Sequence, residues 1–155
     1  FSESELYEIF RKFGEEHLAA TIARAIVRAR AVAPIITTVA LSDVLKHVYK
    51  DARVKNAIHP ATRVFQALRI VVNDELNELR VGLTKALDVV SRGGRIAVIS
   101  FHSLEDRIVK QFFLQMVELG RVDIVTSKPV RPGFDEVRQN PAARSAKLRV
   151  AKKIH

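Results

Sequence analysis

Cysteine is absent from this 155-residue chain. That excludes a disulfide scaffold and any thiolate metal site. The five histidines are scattered and no HxxxH-type pair occurs, so no metal site is expected. Apolar runs stay far short of the roughly 18–20 residues a membrane span needs. The first residues, Phe1-Ser2-Glu3-Ser4-Glu5, lack the basic-then-apolar layout of a signal peptide. Initiator methionine is missing too, as expected of a segment from inside a longer protein. No internal repeat or low-complexity tract occurs. These absences fit a cytoplasmic protein with no membrane contact. What is present is an ordinary globular composition, 48% hydrophobic and 28% charged, long enough for one domain or two small units.

Charge is unbalanced. The net charge is +9, which points to a polyanionic partner. From Arg121 to His155 there are nine Lys/Arg against three acids, so this segment alone supplies +6. A solvated basic face that aids solubility is the alternative.

Periodicity predicts helices first. Ser2 with Glu5 forms a capping box, followed by Leu6, Ile9, Phe10 and Phe13 at helical spacing, with Gly14 as the stop. A second helix runs over 15–31, with Leu18, Ile22, Ala25, Ile26 and Ala29 as its stripe and Arg24, Arg28 and Arg30 off it. Thr37 or Thr38 caps a third, burying Leu41, Val44, Leu45 and Val48. Lys46–Lys55 reads as loop. Pro60 sits at a favoured first helical position and opens a long helix to Ser91, broken near Asn73-Asp74, both of which favour caps over helix interiors.

A strand then covers Arg95–Phe101. Its apolar run suggests burial on both faces, as in a central parallel strand. Ser103 with Asp106 is expected to cap the next helix, whose inner face is Leu104, Ile108, Phe112, Met116 and Leu119. Arg121–Thr126 fits a short strand, Ser127–Arg144 a loop, and Ala146–Ile154 a half-buried strand with a basic outer face. Three strands are too few to bury the first one, which suggests a split α/β domain. The polar elbow after that strand carries His102, Ser103, Asp106 and Arg107. In open α/β sheets ligands bind at the carboxyl ends of strands, and this elbow lies at such an end.

At these residues the chain resembles the MraW family, bacterial methyltransferases of small-subunit ribosomal RNA. The resemblance is carried by His59-Pro60-Ala61-Thr62-Arg63-Val64-Phe65-Gln66-Ala67-Leu68-Arg69-Ile70, by Val72-Asn73-Asp74-Glu75-Leu76 and by the Gly93–Arg107 block. Lys128-Pro129-Val130-Arg131-Pro132 and Asn140–Arg149 add to it, as do Ser2–Arg30 and Pro34–Thr38. The family implies transfer of a methyl group from S-adenosylmethionine to the exocyclic N4 of a cytidine. It also implies an α/β fold: a helical substrate-recognition insertion (residues 1–58), then the C-terminal half of a Rossmann-like class I methyltransferase sheet (59–155). The family's N-terminal half, with its Gly-rich cofactor loop, has no counterpart here. No cofactor-binding residue is therefore assigned, and the isolated chain is expected to be inactive. Gly93-Gly94 precedes a strand, not a helix, so it lacks the helix amides that hold phosphates.

Base methylation needs the amine held in line with the methyl donor, and the base is commonly taken out of its stack. The candidate RNA-binding residues are Arg63, Gln66, Arg69, Phe101, His102, Ser103, Asp106, Arg107, Lys128, Arg131, Arg144, Lys147 and Arg149. Phe101 is either core or a stacking surface. Ser103 is a cap or a contact, and Asp106 a capping partner, an arginine partner or a site residue. Arg63, Gln66 and Arg69 share a helix face that meets RNA, the absent half or solvent. No catalytic residue is assigned, with His102 the weak candidate. Expected partners are small-subunit ribosomal RNA or the 30S particle, with a homodimer through an exposed sheet edge as a further expectation. The alternative function is a non-catalytic basic RNA-binding or assembly module derived from the enzyme.

Overall fold

A computed structural model describes residues 1–52 and 61–155. The chain divides into two compact units, Phe1–Glu75 and Leu76–His155. The division expected between Ile58 and His59 falls outside the described residues, as do the helix start at Pro60 and the end of the Lys46–Lys55 segment.

The first unit is helical: α1 (Glu3–Gly14), α2 (Ala19–Val32), α3 (Thr38–Asp51) and α4 (Ala61–Val72). The Ser2–Glu5 capping box forms in both directions, which satisfies two orphan amides at the helix start. Thr37 caps α3 by accepting from the Ala40 amide at 3.1 Å. Leu6, Phe10, Ile22, Leu45 and Val64 form one buried apolar cluster. Two expectations change here. The helix stop is Glu15, whose φ is +47. Gly14 stays helical; a Cβ there would stand 3.0 Å from the Arg63 carbonyl oxygen on α4, so glycine permits the α1–α4 approach. The segment after Lys46 continues as helix to Asp51, because Val48 and Tyr49 are buried and tertiary burial outweighs the polar composition.

Between α4 and α5 (Glu75–Val89) the helix breaks at Asp74, which takes φ +49. In the second unit β1 (Arg95–Ser100), β2 (Val122–Ile124) and β3 (Lys147–Lys153) form a three-stranded antiparallel sheet in the order β1-β3-β2. Helix α6 is Ser103–Glu118. Leu83 and Leu87 of α5, Val109, Phe113 and Met116 of α6, and Ile96, Val122 and Ala151 of the sheet pack as one core.

The strand expected at the centre of a parallel sheet is instead an edge strand with one antiparallel partner among the described residues. Its side chains alternate, as strand geometry requires. Ile96 and Ser100 are buried, whereas Ile99 is 59% exposed. The final strand also reverses the expectation. Lys147, Arg149 and Lys153 share the face of buried Ala151, while Leu148 and Val150 pair across from Ile99 and Ala97 on the other. Ion pairs explain the reversal. Lys147 and Arg149 reach Asp106 on α6, and Lys153 Nζ donates to the Leu87 carbonyl of α5 at 2.7 Å. On α6 the expected Leu104, Ile108 and Met116 are buried, Val109 and Phe113 join them, and Leu119 is exposed. The segment expected to be loop contains α7 (Phe134–Gln139) and a 3-10 turn (Pro141–Ser145).

Candidate functional site

β1 ends on buried Ser100, and the chain turns through Phe101 and His102 into α6. The expected cap at Ser103 shifts by one residue. His102 is the N-cap, in extended conformation at φ −140 and ψ 169. Its Nδ1 accepts the Glu105 amide at 3.3 Å. The Glu105 carboxylate reaches back, with Oε2 accepting the amides of Phe101 at 2.8 Å and His102 at 3.3 Å. Glutamate is long enough for this return bond at the third helical position. An Nδ1 that accepts leaves the ring proton on Nε2 in the neutral imidazole. Nε2 lies 3.4 Å from Glu105 Oε1. Both ring nitrogens of His102 thus face Glu105, a residue the sequence reading passed over. The available signal was Glu105 three residues after His102, obscured because histidine is not a favoured cap.

Asp106 is freed from capping and becomes an internal anion. Arg149 Nε and Nη2 donate to it at 2.7 and 3.3 Å, and Lys147 Nζ at 3.1 Å. Its expected partners were Arg107 or an arginine of the preceding helix; Lys147 and Arg149 lie instead on β3. The Asp106 side chain is only 13% exposed. The Arg149 hydrogen bonds hold its carboxyl below the usual aspartate range, Lys147 adding to them and partial burial opposing. This clasp ties the start of α6 to β3.

The other predicted site residues fall into groups. Phe101 is 54% exposed beside the elbow, and Arg107 and Ser103 are exposed on the first turns of α6. Lys128, Arg131 and Arg144 are exposed in the β2–β3 connection. These all belong to the second unit. Arg63, Gln66 and Arg69 belong to the first. Arg63 Nη1 donates to the Glu15 carbonyl at 3.3 Å and Gln66 Nε2 to the Phe13 carbonyl at 3.4 Å. They serve carbonyls at the C-terminal end of α1, which lack helical partners. Arg69 forms a two-pronged pair with Glu75 at 2.7 and 3.1 Å.

The sequence profile of the MraW methylase family matches residues 1–154. The chain belongs to the MraW methylase family. It is 49% identical to the ribosomal RNA small subunit methyltransferase H of Persephonella marina over 154 residues, covering 99% of this chain and 53% of that protein. The protein of the same name from Coprothermobacter proteolyticus is 51% identical over 152 residues, covering 98% of this chain and 50% of the relative. A third, from a Sulfurihydrogenibium species, is 47% identical over 154 residues, covering 99% of this chain and 53% of its own length. The chain thus spans about half the length of the curated relatives it matches.

Methyltransferases of this kind imply a methyl donor, for which the adjacent glycines Gly93 and Gly94 are a candidate cradle. Gly93 takes φ +81 and donates to the Lys153 carbonyl at 2.9 Å, while Gly94 donates to the Ser91 carbonyl. A Cβ on Gly94 would stand 2.6 Å from Val90 Cγ1 and 2.9 Å from the Ser91 oxygen. The pair therefore packs against its own chain, with its amides bonded inward. It does not fit a nucleoside or sulfonium ligand. Among the described residues no group of three His, Cys, Asp or Glu gathers as for a metal, and no helix is long and apolar enough to cross a membrane.

Proposed function

We propose that this chain is part of an S-adenosylmethionine-dependent methyltransferase that acts on the exocyclic N4 of a cytidine in small-subunit ribosomal RNA. The observation that carries the reading is the family match along residues 1–154, joined to the names of relatives about half identical to it. On this reading the sheet of the second unit belongs to a Rossmann-like methyltransferase sheet. The donor is held by the portion of the relatives' length that this chain does not span. The 30S particle or its RNA is the partner, in the cytoplasm. The edge of β1 is the place where the rest of that sheet, or in the isolated chain a second copy, would add a strand.

The elbow then supplies a wall for the target base. The lone pair of a cytosine amine is delocalised into its ring, so rate depends on placing that amine and accepting its proton late. Phe101 offers an exposed ring for a base out of its stack. His102 acts as a positioning group, because its imidazole is engaged with Glu105. Lys128, Arg131 and Arg144 supply phosphate attraction that weakens with salt. Arg149 and Lys147 act through Asp106, setting the elbow.

Two measurements test this. Nucleoside mass spectrometry of ribosomal RNA incubated with the enzyme at relatives' full length should show N4-methylcytidine; its absence overturns the reaction. Isothermal titration of this chain alone with S-adenosylmethionine should show no binding, and micromolar affinity overturns the placement of the donor. The alternative, a basic RNA-binding module without catalysis, draws on the glycine pair's failure to form a cradle. RNA binding with no methyl transfer even at full length would establish it.

A further inference from the structure

A groove of about 420 Å³ lies between α5 and α6 in the second unit, lined by Arg80, Thr84, Ile108, Gln111, Phe112, Gln115 and Met116. Its volume falls within the range of small-ligand sites. Ile108 and Met116 are buried beneath it, and Phe112 is half-buried. Gln111 and Gln115 stand one helical turn apart on one rim, Arg80 and Thr84 one turn apart on the other. Both glutamines are exposed, and their side chains make no hydrogen bond among the described residues. Thr84 Oγ1 donates to the Arg80 carbonyl at 3.1 Å, and Arg80 Nη1 donates to the Leu76 carbonyl at 3.2 Å. The arginine stem is thereby held while its remaining N–H groups stay available. No carboxylate lines the groove.

We propose that this groove binds one unstacked nucleobase of a single-stranded RNA, with its phosphate against Arg80. The chemistry of the walls selects this occupant. The apolar side chains of Ile108, Phe112 and Met116 receive the face of a base, a contact every base can make. Two primary amides, each with a donor and an acceptor, match a base edge. A guanidinium fits the phosphate. Arg107, one turn before Gln111, lies on the same side of α6, so the rim runs on from the elbow. At 1.5 Å rise per residue Gln115 is roughly 12 Å further along the helix than Arg107. The groove is thus placed to hold a nucleotide flanking the one presented to the elbow. This inference rests on the RNA-substrate reading above.

The test is fluorescence anisotropy of the chain with a labelled single-stranded ribosomal RNA oligonucleotide across a salt series. The double variant Gln111→Ala, Gln115→Ala should bind about tenfold more weakly, the size expected for one lost base contact, with its salt slope unchanged. Arg80→Ala should weaken binding and reduce the slope by roughly 0.7, one phosphate of a single strand. The same sequence in duplex form should bind alike to wild type and the double variant, since its base edges are hidden. All substituted positions are exposed and helical, where alanine is well tolerated. The side-chain amide resonances of Gln111 and Gln115 should also move on adding the single strand. Unchanged single-strand affinity in the double variant, or unmoved amide resonances, overturns the groove and leaves the RNA-substrate reading standing. Failure of the wild-type chain to bind the single strand also overturns the groove, while the RNA-substrate reading is decided by the full-length mass spectrometry above.

Discussion

The two units of this chain solve the burial of polar groups in different ways. The helical unit buries a carboxylate against a neutral hydroxyl. The Tyr49 hydroxyl donates to the Glu16 carboxylate at 2.5 Å within an otherwise apolar cluster. Glu16 also accepts the Leu18 amide at 3.0 Å. Burial, with the Glu16 hydrogen bond adding to it, pushes the phenol well above its ordinary range. The sheet unit gathers three charges, Asp106, Lys147 and Arg149, between a helix start and a strand. A helical bundle satisfies its own backbone and needs few internal polar contacts. A sheet edge joined to an elbow must fix one loop relative to one strand, and directional charge-assisted bonds do that better than apolar packing. The candidate site lies where the charges are.

The largest expected effect tests the apolar side of this contrast. Phe10 is fully buried, so Phe10→Ala should cost about 3–5 kcal/mol. Urea denaturation followed by tyrosine fluorescence checks it, because both tyrosines, Tyr7 and Tyr49, lie in the first unit. A loss below 1 kcal/mol would mean that the bundle repacks and that its core is not the main source of its stability.

The charged side comes next. Asp106→Ala leaves Arg149 and Lys147 without their anion. It should cost about 2–3 kcal/mol in the second unit, less than a fully buried pair because these side chains stay 12–22% exposed. Amide hydrogen exchange of β3 reads it. The same group sets a pH limit. Its carboxyl is depressed in the folded state, so its contribution is complete above about pH 4, the ordinary aspartate value. That contribution is lost as the pH falls through the lower folded-state value. Asp106→Asn should lack this acid-dependent loss; an unchanged acid limb would assign it to other carboxylates.

Tyr49→Phe probes the hydroxyl–carboxylate contact. Removing the hydroxyl takes one donor from a buried carboxylate and should cost about 1–2 kcal/mol, read by the thermal midpoint of the first unit. A cost equal to that of Asp106→Ala would erase the distinction between the two units. The smallest effect is at the chain's first cap. Ser2→Ala should cost about 1 kcal/mol, seen as faster exchange of the Glu5 amide.

Local signals were legible from residue order. The Ser2–Glu5 box, the Thr37 cap and the break at Asn73-Asp74 depend on residues a few positions apart, and each appears in the fold. The elbow was legible as a place but not as a mechanism. A strand followed by a capped helix could be read from Gly93–Arg107, yet the cap itself moved from Ser103 to His102. Asp106 offered several partners in sequence; its partners at positions 147 and 149 depend on β3 lying between β1 and β2.

Residue order determined the long helices other than the end of α3, most of their inward stripes, the elbow and the family, because these rest on periodicity, short-range capping and extended identity. Tertiary structure decided which way β3 faces and which cations remain available. It also decided that two glutamines on α6 line one groove with an arginine on α5. The reason is that alternation in a strand states only that two faces exist, and the anion packed against one of them chooses which face turns inward.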